Sequence, residues 1–195
     1  MALAFACDPE AVQRTVGCLR NGGVVGVPTE TVYGLAALWC DGAARERIYE
    51  LKQRPADKRL QMLASSVAMA SAAGVVQSAL LQALANAFWP GPLTVVVEAE
   101  EGETIGLRIP RHPFLLAVLE ELGEPLAATS ANLSGLPPAL TAATAVQDLA
   151  GEVDLLVDGG TVAVGEASTV VSVVGDELRV LRPGPISEDE LRAAL

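Results

Sequence analysis

The chain has 195 residues, 51% apolar and 19% charged, a length and balance that suit one compact domain with a sizeable core. Thirteen basic against 24 acidic residues give a net charge of -11, which argues against broad non-specific binding to nucleic acid. Three cysteines without a CxxC pair and a single histidine argue against a disulfide framework, a structural zinc site or histidine-based metal chemistry.

The opening MALAFACDPE holds a short apolar run with no basic flank and meets Asp8 at once. It predicts neither a secretory signal nor a spanning helix, so a soluble cytoplasmic protein without membrane partners is expected. These first residues show no periodic pattern and read as irregular. Pro9 then opens a helix in which Val12, Val16 and Leu19 recur at helical spacing, and Asn21-Gly22-Gly23 ends it. Val24 to Val27 reads as a short buried strand. Pro28 cannot donate to a ladder, so it stops the pairing and leaves Thr29, Glu30 and Thr31 at a strand end, the edge where α/β sheets keep their ligands. Taken alone, the same residues also suit an ordinary turn.

Asp41 is placed to cap a helix that turns Ala44, Ile48 and Leu51 inward and carries Lys52 and Arg54 to its C-terminal end, where Pro55 stops it. Leu60 to Ala64 reads as a strand. Residues 67–88 form a helical region broken near Gly74, with Leu80, Leu84 and Phe88 on one face, closed by Trp89-Pro90-Gly91-Pro92. Leu93 to Glu98 and Thr104 to Ile109 are strands about an acidic turn, and a helix runs from Pro113 to Leu122, where Gly123 closes it. Pro125 to Thr129 is a strand that releases a polar loop from Ser130 to Pro138. A short helix over 144–150, a strand over 153–157 and a hairpin of 168–174 with 178–181 follow, and Ser187 with Glu190 predicts a capping box on the last helix. The alternation predicts a single α/β domain over residues 1–195, a twisted mixed sheet covered by helices.

Six of the thirteen basic residues, Arg45, Arg47, Lys52, Arg54, Lys58 and Arg59, lie within one short segment, a local electropositive site on an acidic chain or a solvated helix face. The unusual polar residues otherwise gather at strand ends: Thr29 to Thr31, Arg108, Thr129 to Asn132, Ser168 and Arg182. Cys7, Cys18 and Cys40 stand apart from all of these, and His112, the sole histidine, lies in an RIPRHP turn, so no Ser-His-Asp set can be assembled.

The segments PTETVYGL, KQRPADK, FWPGPLT, IGLRIP, TSANLSGLPP, ASTVV and LRPG, in this order between Gly23 and Gly184, resemble the YrdC family of threonylcarbamoyl-AMP synthases, in its short single-domain bacterial form. The resemblance implies formation of threonylcarbamoyl-AMP and pyrophosphate from L-threonine, bicarbonate and ATP with magnesium, supplying the tRNA threonylcarbamoyltransferase machinery. It implies Lys52 and Arg54 as the catalytic KxR pair. It implies Arg54, Lys58, Thr104, Ser130, Asn132 and Arg182 for ATP, and Thr31, Arg108, Ala128 and Ser168 for threonine, with no protein-held metal. Arg108 is the natural fork for the threonine carboxylate. Arg54 before a proline also suits a helix C-terminus, and Thr104 and Ser168 also suit plain strand positions. Glu30 is the one carboxylate in the first motif, placed to orient water or magnesium.

Two positions depart from the family pattern: Leu63, where many longer relatives have a histidine touching threonine, and Pro138, where many have a small hydroxyl residue. A double-stranded RNA or tRNA-binding module without catalysis is the main alternative, weakened by the acidic balance and by an aromatic content of only 4%. Weak RNA binding beside catalysis stays open.

Overall fold

The computed structural model describes residues 1–147 and 149–195. Its strands are β1 (Ala2–Phe5), β2 (Val25–Val27), β3 (Gly34–Leu38), β4 (Gln61–Leu63), β5 (Leu93–Glu98), β6 (Thr104–Arg108), β7 (Leu126–Ser130), β8 (Leu155–Asp158), β9 (Thr169–Ser172) and β10 (Arg179–Arg182). Its helices are α1 (Ala11–Arg20), α2 (Gly42–Lys52), α3 (Val67–Ala72), α4 (Ala79–Phe88), α5 (Pro113–Leu122), α6 (Ala142–Gln147) and α7 (Glu188–Ala193). All strands join one mixed sheet in the order β1-β8-β2-β3-β7-β4-β6-β5-β9-β10. The pairs β1–β8, β2–β8, β4–β6 and β5–β9 are parallel, whereas β2–β3, β3–β7, β4–β7, β5–β6 and β9–β10 are antiparallel. This is a single α/β domain with a mixed sheet and helices.

The two halves of the sheet are covered differently, and that difference creates the site. In the half from β1 to β7, Leu19, Leu115, Leu119 and Phe114 of α1 and α5 pack on Val25, Val27 and Leu126, while Ile48 and Ala145 of α2 and α6 pack on Leu35, Ala37 and Leu156 on the other face. Both faces are dry, so these strands read as continuous apolar runs. In the half from β4 to β10, Leu81, Leu84 and Leu191 of α4 and α7 cover one face, packing on Met62, Leu107, Val95 and Val171. The other face of that half carries no helix and is lined instead by Gln61, Thr94, Val96, Thr104, Gly106 and Val170. Successive strand residues point to opposite faces, so each of these strands alternates between core and opening.

Most local signals behave as the residues dictate. The Asp41 carboxylate accepts the Ala44 N–H at 2.9 Å, Gly123 ends α5 at φ 70°, and Ser187 and Glu190 form the capping box. Helix α2 ends at Gln53, which adopts the left-handed conformation at φ 46°, before Pro55 is reached.

Three expectations are corrected. The first residues are not irregular: β1 is an edge strand on β8, with Ala4 buried and Leu3 and Phe5 exposed. A four-residue edge strand with one small buried side chain is too brief to show a period. Gly34–Leu38, a run of small and apolar residues assigned no element from sequence, is strand β3. The buried face of α4 turns by one residue, to Leu81, Leu84 and Ala85, leaving Leu80 and Phe88 partly buried. The helix expected over 144–150 is α6, ending at Gln147; Asp148 lies outside the described residues.

Candidate active site

The uncovered face of β4-β6-β5-β9 and the loops after β2 and β7 enclose a cavity of about 530 Å³, within the range of small-molecule sites. Its floor is set by strand alternation: Thr94 and Val96 of β5 lie beside Val170 and Gly106 of the neighbouring strands. Gly106 keeps that floor low, since a Cβ there would meet Thr94 Cγ2 at 3.4 Å. Of the residues expected from sequence, Thr31, Arg54, Thr104, Arg108, Ala128, Ser130, Asn132, Ser168 and Arg182 all border this one cavity, as does Pro138. Asp57, Arg59, Gln61 and Thr94 border it too and were missed. For Gln61 and Thr94 the signal was the polar side of strands that otherwise carry core residues; Asp57 and Arg59 lie in the segment between α2 and β4, where Arg59 was read only as part of the basic cluster.

Lys52 and Lys58 do not border the cavity. The left-handed turn at Gln53 separates the two members of the KxR pair, turning Lys52 inward and Arg54 outward. Lys52 is 1% exposed, and its ammonium donates to the carbonyl oxygens of Ser130 and Asn132, each at 2.5 Å. The Lys52 carbonyl in turn accepts the Ser134 N–H at 3.0 Å, so the loop after β7 hangs on this residue. Burial, with the charge of Arg54 acting the same way, lowers the ammonium to about 8, and the two carbonyls act in the opposite direction by favouring the protonated form. Lys58 is exposed, and its carbonyl accepts from Arg54 Nε at 2.8 Å. Leu63 is packed in the core beneath α5 rather than at the cavity, although it is the register partner of Arg108.

The electropositive segment does not act as a unit. Arg45 lies over the Trp39 ring, Arg47 pairs with Asp154, and Arg59 pairs with Glu103. Arg54 and Arg182 form no ion pair among the described residues and instead donate to carbonyls, Arg54 to Lys58 and Arg59, Arg182 to Ser168 at 2.7 Å. Burial pushes both guanidinium groups down, and for Arg182 the charge of Arg108 adds to it. Two partly buried cations without carboxylate partners in an acidic chain are fitted to bind anions.

Arg182 reaches the cavity because of an irregularity. Val180 is opposite Val171 on the core face, yet Arg182 is opposite Val170 on the cavity face, and the shift falls at Leu181. One extra residue there reverses the alternation. A hydroxyl relay crosses the floor: Thr94 Oγ1 donates to Gln61 Oε1 at 3.1 Å or meets Ser168 Oγ at 2.8 Å, and Arg182 Nη2 approaches Ser168 Oγ at 3.3 Å. At the opposite wall, Thr29 Oγ1 donates to the Val32 carbonyl at 2.7 Å and holds Thr31 Oγ1 at 2.9 Å, fixing the turn that presents Thr31.

A family model designated Sua5/YciO/YrdC, and described as telomere recombination, matches residues 17–184. The chain belongs to the Sua5/YciO/YrdC family. A Bacillus subtilis relative named threonylcarbamoyl-AMP synthase is 36% identical over 198 residues, covering 96% of this chain and 57% of the relative. A Mycobacterium tuberculosis protein is 36% identical over 211 residues, covering all of this chain and 96% of that one. The crystal structure of P. abyssi Sua5 complexed with L-threonine superposes with a TM-score of 0.89 at 32% identity, covering 100% of this chain and 60% of that chain. The chain thus spans somewhat more than half the length of the B. subtilis and P. abyssi proteins.

As to metal, the described residues hold no group of three or more His, Cys, Asp or Glu able to enclose an ion, and Asp57 is a carboxylate at the cavity. That donor set fits a magnesium ion carried in on phosphates and touched by one carboxylate, the usual habit of magnesium with nucleotides. No described helix is long and apolar enough to cross a membrane.

Proposed function

We propose that this chain is an L-threonylcarbamoyladenylate synthase, a cytoplasmic nucleotidyltransferase that uses L-threonine, bicarbonate and MgATP and passes its product to the tRNA threonylcarbamoyltransferase machinery. The observation that carries the reading is the convergence of Arg54, Arg108 and Arg182 with Thr31, Ser130 and Ser168 on one cavity. The names of the relatives and the threonine complex of P. abyssi Sua5 support it.

The chemistry explains why such a lining is needed. The threonine amine takes up carbon dioxide to give a carbamate, and a carbamate oxygen attacks the α-phosphorus of ATP, expelling pyrophosphate. A carboxylate, a carbamate and a triphosphate must therefore be held together, which fixed guanidinium groups allow. Arg54 and Arg182 face the nucleotide, Arg108 takes the threonine carboxylate, and Thr31 and Ser168 read the amine or hydroxyl. Ser130 and Asn132, on the loop held by Lys52, contact the nucleotide. Asn132 already spends its amide N–H groups on the Leu133 and Leu136 carbonyls, leaving its buried Oδ1 without a partner.

Pyrophosphate release by the full chain tests the proposal. Release that requires threonine, bicarbonate and MgATP together is expected. Absence of release above background, together with tight binding of duplex RNA at physiological salt, would replace it with an RNA-binding module.

A further inference from the structure

Behind the cavity wall, side chains from three separate segments meet with bonds left unmade. Arg108 Nη2, at the end of β6, lies 2.8 Å from Glu30 Oε1 in the turn after β2, and the two side chains are 4% and 11% exposed. The contact is ionic without hydrogen-bond alignment: among the described residues neither oxygen of Glu30 nor Arg108 Nη2 has an aligned partner, and His112 Nδ1 is buried without one. Burial lowers the His112 imidazole, with the charge of Glu30 opposing, so this neighbour adds no firm cation to the pair. Arg108 borders the cavity and Glu30 does not.

The guanidinium is therefore held from one side. Its Nε donates to the Gly91 carbonyl at 3.2 Å. Nη2 is shared between the Nε/Nη2 edge and the Nη1/Nη2 end of the planar group; Gly91 engages Nε, Glu30 lies by Nη2, and Nη1 has no hydrogen bond to the protein among the described residues. Gly91 is packed against the end of α4, where a Cβ would fall 2.3 Å from the Phe88 carbonyl oxygen, so only glycine fits at this position. The Glu30 backbone is anchored independently, its carbonyl accepting the Val164 N–H at 3.0 Å.

We propose that Glu30 is a positioning residue, which with the Gly91 carbonyl grips the Nε/Nη2 edge of Arg108 and presents the Nη1/Nη2 end of the guanidinium to the substrate carboxylate. The inference rests on the reading that Arg108 receives the carboxylate of threonine. Its physical basis is that a buried guanidinium without a counter-ion would turn toward any acceptor or drag water in. Glu30 instead offsets the charge from behind, without entering the ligand space. An end-on fork can then accept a carboxylate through two parallel hydrogen bonds.

The test compares E30A and E30Q with the parent, titrating L-threonine and ATP separately and following the Arg108 Nε–H resonance, assigned by its loss in R108K. E30A is expected to weaken threonine binding by roughly tenfold or more, with ATP affinity within about twofold and the Arg108 resonance broadened. E30Q keeps an acceptor oxygen and should recover part of the threonine affinity and of the resonance. E30A with parental threonine affinity and a sharp resonance overturns the proposal, as does equal weakening of threonine and ATP. A parent that binds no threonine, while E30A still broadens the resonance, removes the threonine reading and leaves the positioning role supported.

Discussion

The Lys52 ammonium sits 2.5 Å from the Ser130 carbonyl oxygen, tying the end of α2 to the end of β7 inside the protein. A residue expected from the resemblance to be one of the catalytic KxR pair thus carries the loop that borders the cavity. Replacement by Met should remove a donor from buried carbonyls and cost about 1–3 kcal/mol of stability as well as turnover. Arg54→Ala should lower turnover by roughly a hundredfold with little change in stability, because its guanidinium is turned toward the cavity. Urea unfolding beside pyrophosphate kinetics separates the two; equal stability loss in both variants would contradict the division of roles.

The same lysine predicts opposite pH trends for stability and activity. Its folded value of about 8 lies below the ordinary 10.5, so across that window the unfolded chain binds more protons at this group. Its contribution to stability therefore rises with pH there. Turnover should fall in the same window, since a neutral amine donates more weakly to the Ser130 and Asn132 carbonyls. A turnover that stays level throughout, with the parent folded, would show that the loop does not need the charge.

Arg108→Lys should weaken threonine binding by about 1–3 kcal/mol and leave ATP binding nearly unchanged. A lysine can satisfy Glu30 or the ligand as a point charge, but it cannot offer both edges of a planar group. Separate titrations decide it, and parental threonine affinity in the variant would take Arg108 out of the threonine site.

Gly106 offers a test of the cavity itself. Its side chain position faces Thr94 Cγ2 and Gln61 Cβ at 3.4 and 3.8 Å, and its φ is not in the left-handed region, so Ala should fit with a stability change under about 1 kcal/mol. Leu at the same position should fill the floor and abolish ligand binding while the fold persists. Retained pyrophosphate release in a folded Gly106→Leu variant would place the reaction elsewhere.

What was legible in the sequence follows from how local each signal is. Capping at Asp41 and Ser187 and closure at Gly123 are decided within a few residues, and the structure reproduces them; the α1 stripe holds at Val16 and Leu19, whereas Val12 is only partly buried and Ala11 and Thr15 are buried instead. The motif positions were legible as well, because residues such as Thr31, Arg108, Ser130 and Arg182 stand out as polar punctuation at strand ends. β1 and β3 were not legible: one is too short and the other too uniformly apolar for a period of two to show. Thr94 and Gln61 were hidden for a related reason, since a polar residue within an apolar run does not announce what its face looks onto.

By itself, then, the sequence determined the α/β class, the helix ends marked by Asp41, Gly123 and Ser187, and the set of polar segments, all properties of short windows of chain. Only the tertiary structure decided which of those polar groups act together. Whether a strand face becomes core or cavity depends on whether a helix from elsewhere covers it, and one half of this sheet is left open on one side. The bulge at Leu181 turns Arg182 into that opening, the turn at Gln53 sends Lys52 inward and Arg54 outward, and the pairing with Glu30 fixes how Arg108 is held. Each of these is a contact between segments far apart in the chain, where a reversal of one residue changes which face a charge meets.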